Sequence, residues 1–330
     1  MPVGAAQSSQ PVEVVARGSF GGQVTDGALF YPVFTNGRTG INRLELSTGE
    51  RRRVYTAPRG VDVFGLEADG GRVGFQTDDR AHRHRIYLMD AASRAALQLA
   101  HGRIYERRDC GHDLKLHDVS PAGELLYEET IVPCDGKRGT LAVRAYDPAT
   151  GTRTLRSRRM KFAPISQGEP SRRLAGDQLL TAGESRARVR DLSSGAARQI
   201  RSLGARSSMQ ALDVAGDGRV IVHDWRGVRD RPEETIRLMR AADSGRGGAV
   251  VHRTRRAFGE ARFCGSRAVL FTITKRARYR LSLLDPAAPL AEGVLPDADT
   301  ETTCDAHQFV VTTVAPRRAD RAYVFTLPPS

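Results

Sequence analysis

One phrase, repeated along the chain, limits what the sequence can fold into more than anything else in it. A tight turn opens a short apolar run at Gly27-Ala-Leu-Phe-Tyr31, Gly71-Arg-Val-Gly-Phe75, Gly123-Glu-Leu-Leu-Tyr127, Asp177-Gln-Leu-Leu-Thr181, Gly218-Arg-Val-Ile-Val222, Ser266-Arg-Ala-Val-Leu-Phe271 and His307-Gln-Phe-Val-Val311. After a polar loop a second run follows each, as in Asn42-Arg-Leu-Glu-Leu46, Arg85-Ile-Tyr-Leu-Met89, Leu141-Ala-Val-Arg-Ala-Tyr146 and Tyr279-Arg-Leu-Ser-Leu-Leu284. Glycine turns accept positive φ and join antiparallel strands, so each phrase predicts strand, hairpin, strand, loop, strand. Helical spacing is absent.

Self-similarity at this period is the mark of propeller blades, each able to bury its faces only against its neighbours. A two-sheet sandwich has no need of the same phrase seven times in one order. The expectation is therefore an all-β, seven-bladed β-propeller of four-stranded antiparallel blades. Residues 1–10 are expected as a disordered tail and residues 11–330 as one domain. The blades are placed at about 18–57, 58–102, 108–158, 162–204, 207–254, 256–296, and 298–328 with 12–17. In the last, the segment Glu13-Val-Val-Ala-Arg17 supplies a strand that the C-terminal unit lacks, which latches the ring and removes an open edge. The weakest first strand is expected near Glu169–Leu174, which is poorly apolar.

The cysteines bear on compartment. Cys110 and Cys134 stand equally far from the Ser120-Pro-Ala-Gly123 turn, so antiparallel pairing brings them together. Cys264 and Cys304 each end the first strand of a blade, and first strands of neighbouring blades converge. Two sensible pairs favour an oxidising compartment, secreted or periplasmic, over free buried thiols. No Cys-x-x-Cys spacing suggests zinc. The start, Met1-Pro-Val-Gly-Ala-Ala-Gln-Ser-Ser-Gln10, has neither the basic opening nor the apolar core of a secretory signal, so either the chain is cytosolic or a leader has been removed. No apolar run reaches the roughly 20 residues of a membrane span.

The segment Glu67–Asp90, with Ala68-Asp-Gly70, Gln76-Thr-Asp-Asp-Arg80 and Ile86-Tyr-Leu-Met-Asp90, resembles the repeat of TolB-type, WD40-like (PD40) propellers. Val119-Ser-Pro-Ala-Gly123 with Ala145-Tyr-Asp147 matches it a second time. The resemblance implies a propeller, commonly extracytoplasmic and commonly a platform for protein binding. Nothing resembles TolB's separate N-terminal domain, the Trp-Asp dipeptide of true WD40 repeats is absent, and no Gly-x-Ser-x-Gly elbow marks a hydrolase.

Charge gives the functional expectation. The net charge is +13 and the pI about 10.2, carried by arginine far more than by lysine. Coding bias toward arginine is one account of this, an anionic partner the other. Every loop between second and third strands carries a cation, among them Arg80, Arg83, Arg138, Arg186, Arg229, Arg278 and Arg317, and the connectors between blades add others such as Arg103 and Arg158, whereas the opposite turns carry Asp26, Asp69, Asp90, Asp147, Asp191, Asp217 and Asp243. The leading expectation is a non-catalytic monomer whose arginine-rich face binds an anionic protein surface or cell-envelope polymer. Sparse aromatics argue against a nucleic-acid partner. The rival is an enzyme, such as a lyase acting on an acidic polysaccharide at the axial pocket. His82 with His84, His112 with Asp113, His117 with Asp118, and His223-Asp224-Trp225 are the candidates for a metal or acid–base site. No Glu or further histidine stands at ligand spacing beside them in the sequence, and Asp297-x-Asp-x-Glu301 lacks the glycine of a calcium loop. No cofactor, metal or catalytic residue is expected.

Overall fold

The computed structural model describes residues 11–15, 22–93, 95–105, 110–135, 137–160, 171–183, 185–204, 207–226, 233–254, 257–285, 287–296, 300–313 and 321–329. All regular structure among them is strand. The first strand, β1 (Val12–Val15), is described below with its partners. By contacts the chain divides into two compact units, Gly18–Leu174 and Met1–Arg17 with Ala175–Ser330.

In the unit Gly18–Leu174, β2 (Gln23–Thr25), β3 (Ala28–Thr35), β4 (Arg38–Glu45) and β5 (Arg51–Thr56) form a four-stranded sheet in chain order. Next come β6 (Val61–Asp69), β7 (Arg72–Asp79), β8 (Arg83–Asp90), β9 (Ala96–Tyr105), β10 (Cys110–Val119), β11 (Leu125–Val132), β12 (Gly139–Asp147) and β13 (Gly151–Met160). These eight form one continuous antiparallel sheet, not two separate blades. The reason is local: β9 runs past residue 102, and Tyr105 and Ile104 pair with Cys110 and Gly111 of β10. The close approach depends on glycine. A Cβ at Gly102 would strike the His112 carbonyl oxygen and one at Gly111, whose φ is +136°, would strike that of Arg103. Successive strand sets share their cores. Phe30, Ile41 and Val54 pack on Leu66, Val73 and Phe75, and Ile86 and Leu88 on Leu114, Leu116 and Leu125.

In the other unit, β14 (Ser171–Ala175), which crosses the unit boundary, heads a sheet with β15 (Gln178–Ala182), β16 (Arg186–Asp191) and β17 (Ala197–Arg201). A second sheet contains β18 (Ser207–Val214), β19 (Val220–Arg226), β20 (Glu233–Met239) and β21 (Ala249–Thr254), and a third β22 (Ala257–Cys264), β23 (Arg267–Thr274), β24 (Arg278–Leu284) and β25 (Ala287–Val294). The last has the order β1-β28-β27-β26, from β26 (Thr300–Cys304), β27 (Gln308–Thr313) and β28 (Arg321–Thr326). The expected latch is present: Glu13 pairs with Tyr323 and Val14 with Ala322, and Glu13 and Arg321 form an ion pair.

Two features recur in the first strands. Register shifts mark bulges at Gly65 in β6, His117 in β10 and Leu212 in β18. A bulge turns the following side chain toward a new partner. Asp118 accepts the backbone N–H of Leu174 at 2.9 Å, and Asp213 that of Phe263 at 2.8 Å, so each carboxylate ties its strand to the first strand of the next sheet. The sequence singles out Asp118 beside His117 without showing this use, and Asp213 not at all.

Both expected disulfides are formed, Cys110–Cys134 with Cα atoms 5.0 Å apart and Cys264–Cys304 with Cα atoms 5.5 Å apart. The bulge at His117 moves the β10–β11 register by one residue, with Leu116 opposite Tyr127 but Asp118 opposite Leu126. Cys110 is therefore offset by one from the directly opposed position that symmetry about the turn predicts, and the bond closes on the diagonal.

Candidate functional site

A cavity within the unit Gly18–Leu174 lies where β9 meets β10. Its volume is about 720 Å³, within the roughly 300–1,000 Å³ of ligand clefts. Strand alternation puts Arg83 and Arg85 of β8 on one face, with Arg103 and His101 of β9 directly across from them. Like charges opposed across strands repel, and the compensation is thin. Arg85 has Asp79 at 3.5 Å, and no carboxylate among the described residues lies within ion-pair distance of Arg83, His101 or Arg103. Hydrogen bonds from the backbone N–H groups of Arg83 and Ala81 pull Asp79 below the usual carboxylate range, against the effect of burial, and leave it ionised.

The opposite wall is apolar and pinned. Tyr105 and Ile131 are exposed there, the Arg103 guanidinium sits 5.0 Å from the Tyr105 ring centroid, and Cys134 ties the rim to the start of β10. His112 Nε2 is 2.8 Å from Glu129 Oε1, and Glu129 in turn accepts from Arg144 Nε at 2.7 Å. The arrangement suits a ligand that carries negative charge beside an apolar group.

The arginines expected from the loops fall as follows. Arg80, Arg83, Arg138, Arg186 and Arg278 are all exposed, while Arg229 and Arg317 lie outside the described residues. Of these only Arg83 lines the cavity. Sequence reasoning placed Arg103 among the connector cations but missed Arg85 and His101, because they lie inside strands and only the β8–β9 register places them beside Arg83. Inspection of alternate positions in Arg83-His-Arg85 and His101-Gly-Arg103 would have found them. Some carboxylates at the turns have arginine partners: Arg72 pairs with Asp90 at 3.2 Å, Arg153 with Glu124 at 2.7 Å and Arg219 with Asp217 at 2.7 Å.

The histidines do acquire carboxylate neighbours, contrary to the linear spacing, because cross-strand contacts are invisible to it. Besides His112 with Glu129, His84 lies between Asp113 at 3.5 Å and Asp78 at 3.8 Å. In the other unit His223 Nε2 is 3.6 Å from Glu234 Oε2, with His252 on the next strand, where burial lowers its pKa. His82 adopts a turn with φ of +52°. Among the described residues no three His, Cys, Asp or Glu side chains form a group able to hold a metal ion. Asp297 and Asp299 of the calcium-like segment lie outside the described residues.

The first strands of the unit Gly18–Leu174 hold a buried ionic cluster. His117, in the bulge of β10, is 2.9 Å through Nε2 from Arg172 Nη1, and Arg172 also forms an ion pair with Glu128. Burial holds His117 well below its usual pKa, with Arg172 adding to the effect. Arg173 bridges Asp118 at 2.7 Å and Glu67 at 3.1 Å; burial pushes Asp118 up to about 7 although Arg173 opposes it. Two arginines thus explain why β14 looks poorly apolar: Arg172 is a core residue, 3% exposed.

No family model matches the chain, and no curated protein matches it in sequence. Solved structures do match. An acylaminoacyl peptidase in complex with Z-Gly-Gly-Phe-chloromethyl ketone superposes with a TM-score of 0.59 at 10% identity, over 93% of this chain and 51% of that one. The β-propeller domain of the Trilobed protease from Pyrococcus furiosus, described as having an open velcro topology, gives 0.56 at 11% identity over 95% of both chains. The RRP9 WD40 repeats give 0.52 at 12% identity over 98% and 96%. The chain folds as a β-propeller. It spans about half the length of the acylaminoacyl peptidase that it matches. At these identities the likeness shows the fold alone. The propeller has no helix among its described residues long and apolar enough to cross a membrane.

Proposed function

We propose that the chain is a seven-bladed, TolB-type propeller that works outside the cytoplasm and binds an anionic macromolecule, a protein surface or a cell-envelope polymer, through an arginine-lined surface. The observation that carries the reading is the cavity beside β9, where Arg83 opposes Arg103 and Arg85 opposes His101 with one carboxylate, Asp79, near them. A folded chain tolerates such repulsion at modest cost, and an anion relieves it. Seven blades are supported by the 28 strands among the described residues, which divide into seven sets of four once β1 is counted with β26 to β28 and the eight-stranded sheet as two sets. Two disulfides support an oxidising location.

The test is binding of the purified chain to poly-glutamate and to polygalacturonate across a salt series. Retention at low salt that fails as salt rises is the expected result, because screening acts on a charge-driven contact. Failure to bind either polyanion at low salt, or binding indifferent to salt, refutes the reading.

A further inference from the structure

The spacing of charges in the same cavity specifies what kind of anion enters it, an inference that rests on the reading just given. Along β9 the side chains of His101, Arg103 and Tyr105 occupy alternate positions, and β8 sets Arg85 and Arg83 opposite the first two. Alternate residues of a strand lie on one face, about 7 Å apart. The cavity therefore presents three steps in a row: an arginine–histidine pair, a pair of arginines, and an apolar step formed by Tyr105 with Ile131.

An extended peptide has the same repeat, because its side chains at i, i+2 and i+4 also share a face at about 7 Å intervals. The geometry points to an extended acidic segment of a protein partner, with acidic residues at two alternate positions and an apolar residue at the third, lying over β8 and β9. Each carboxylate meets at least one arginine, through charge-assisted hydrogen bonds, and the apolar residue covers Tyr105. The titratable and charged groups facing the segment are Arg83, Arg85 and Arg103, the imidazoles of His101 and His112, and the carboxylates of Asp79 and Glu129. Glu129 is occupied by His112 and Arg144, and Asp79 by the turn that it caps. Adjacent rather than alternate acidic residues would point to opposite faces of the segment, so only one would reach the cavity.

The experiment uses the full chain and two fluorescein-labelled peptides of one composition. The first is Ser-Tyr-Thr-Glu-Thr-Glu-Thr-Ser, and the second has its two glutamates adjacent. Fluorescence anisotropy at low salt is expected to show at least tenfold weaker binding of the second peptide. A similar loss is expected for the first peptide with the double variant Arg83→Gln/Arg103→Gln, and a several-fold loss with Tyr105→Ala. The double variant Arg188→Gln/Arg190→Gln, exposed in the other unit, controls for net charge. All five side chains are exposed, and circular dichroism with thermal melting reports that each variant stays folded. Equal affinity for both peptides, or an unaffected Arg83→Gln/Arg103→Gln variant, overturns the inference while the anion-binding reading stands. Tighter binding of oligogalacturonate than of the first peptide, lost in the same variant, assigns the cavity to a polymer and overturns the inference too. Absence of binding by both peptides and by both polyanions overturns the two together.

Discussion

Replacing Arg237 with methionine tests how the sheet β18–β21 is held. The Arg237 side chain is fully buried, and its Nε donates to Asp224 Oδ2 at 2.7 Å. Its remaining donors reach the Arg201 carbonyl at 2.9 Å and the Gly247 carbonyl at 2.5 Å, so one guanidinium joins β20 to the end of β17 and to the turn before β21. Asp224 is 2% exposed and accepts otherwise from the Leu203 N–H at 3.0 Å. The Arg237→Met variant leaves this carboxylate buried with one backbone donor, which costs about 3–5 kcal/mol. The double variant Arg237→Met/Asp224→Leu removes the stranded charge and leaves only orphaned backbone groups, at about 1–3 kcal/mol. The double variant should thus be more stable than the single one, with a coupling of about 2 kcal/mol between the sites. Urea unfolding followed by Trp225, the chain's single tryptophan and the next residue along β19, measures this sheet directly. A single-variant cost under about 1 kcal/mol, or losses that simply add, would refute the argument that the pair is a desolvated unit.

Further outcomes follow from the same structure. Acidification should destabilise the native chain through His117: the unfolded chain takes up the proton near the usual histidine value of about 6.5, while the buried ring stays neutral to lower pH, so stability present above that value is lost as pH falls at up to about 1.4 kcal/mol per unit. In a urea series, His117→Gln should be flatter than wild type over that window, and an identical slope counts against the burial argument. Disulfide loops with sequence separations of 24 and 40 residues predict losses of up to about 3–4 kcal/mol each when Cys110/Cys134 or Cys264/Cys304 are changed to serine; unchanged melting of both variants would show that the bonds constrain little. Deleting residues 1–15 uncovers the edge of β28 and should lower the melting temperature and promote self-association, read by calorimetry and light scattering, with a monomer of native stability as the contrary result.

The fold was legible because propeller strands are short and local. Turn glycines such as Gly71 and Gly123, with φ of +72° and +79°, announce the hairpins, and apolar runs between them need no distant information to pair. What escaped the sequence is what lies one register step away. The bulge at His117 shifts the Cys110–Cys134 pairing by a residue, and no local signal marks it apart from the His-Asp dipeptide. The join of β9 to β10 depends on Gly102 and Gly111 meeting backbone from the opposite strand. Sorting loops by charge picked out Arg83 and the connector cation Arg103, which the register brings together, but overlooked Arg85 and His101, since a basic residue inside a strand reads as a solvated face until its neighbours are known.

The same limitation explains why charge in this chain has two different meanings. Arg172 and Arg237 are core residues, each facing a buried carboxylate, and they cannot be offered to a partner without unfolding the sheet around them. Arg83 and Arg103 face each other and keep their guanidinium groups on the surface. Coding bias toward arginine would scatter both kinds without regard to opposition across strands. A structural role would bring a carboxylate to each, as it does at Glu128 and Asp224. Opposition alone does not set Arg83 and Arg103 apart, since Arg186 faces Arg201 in the same way; what distinguishes them is the apolar step beside them, and on the proposed reading it is there that a partner's own negative charge would lower the free energy of the folded chain.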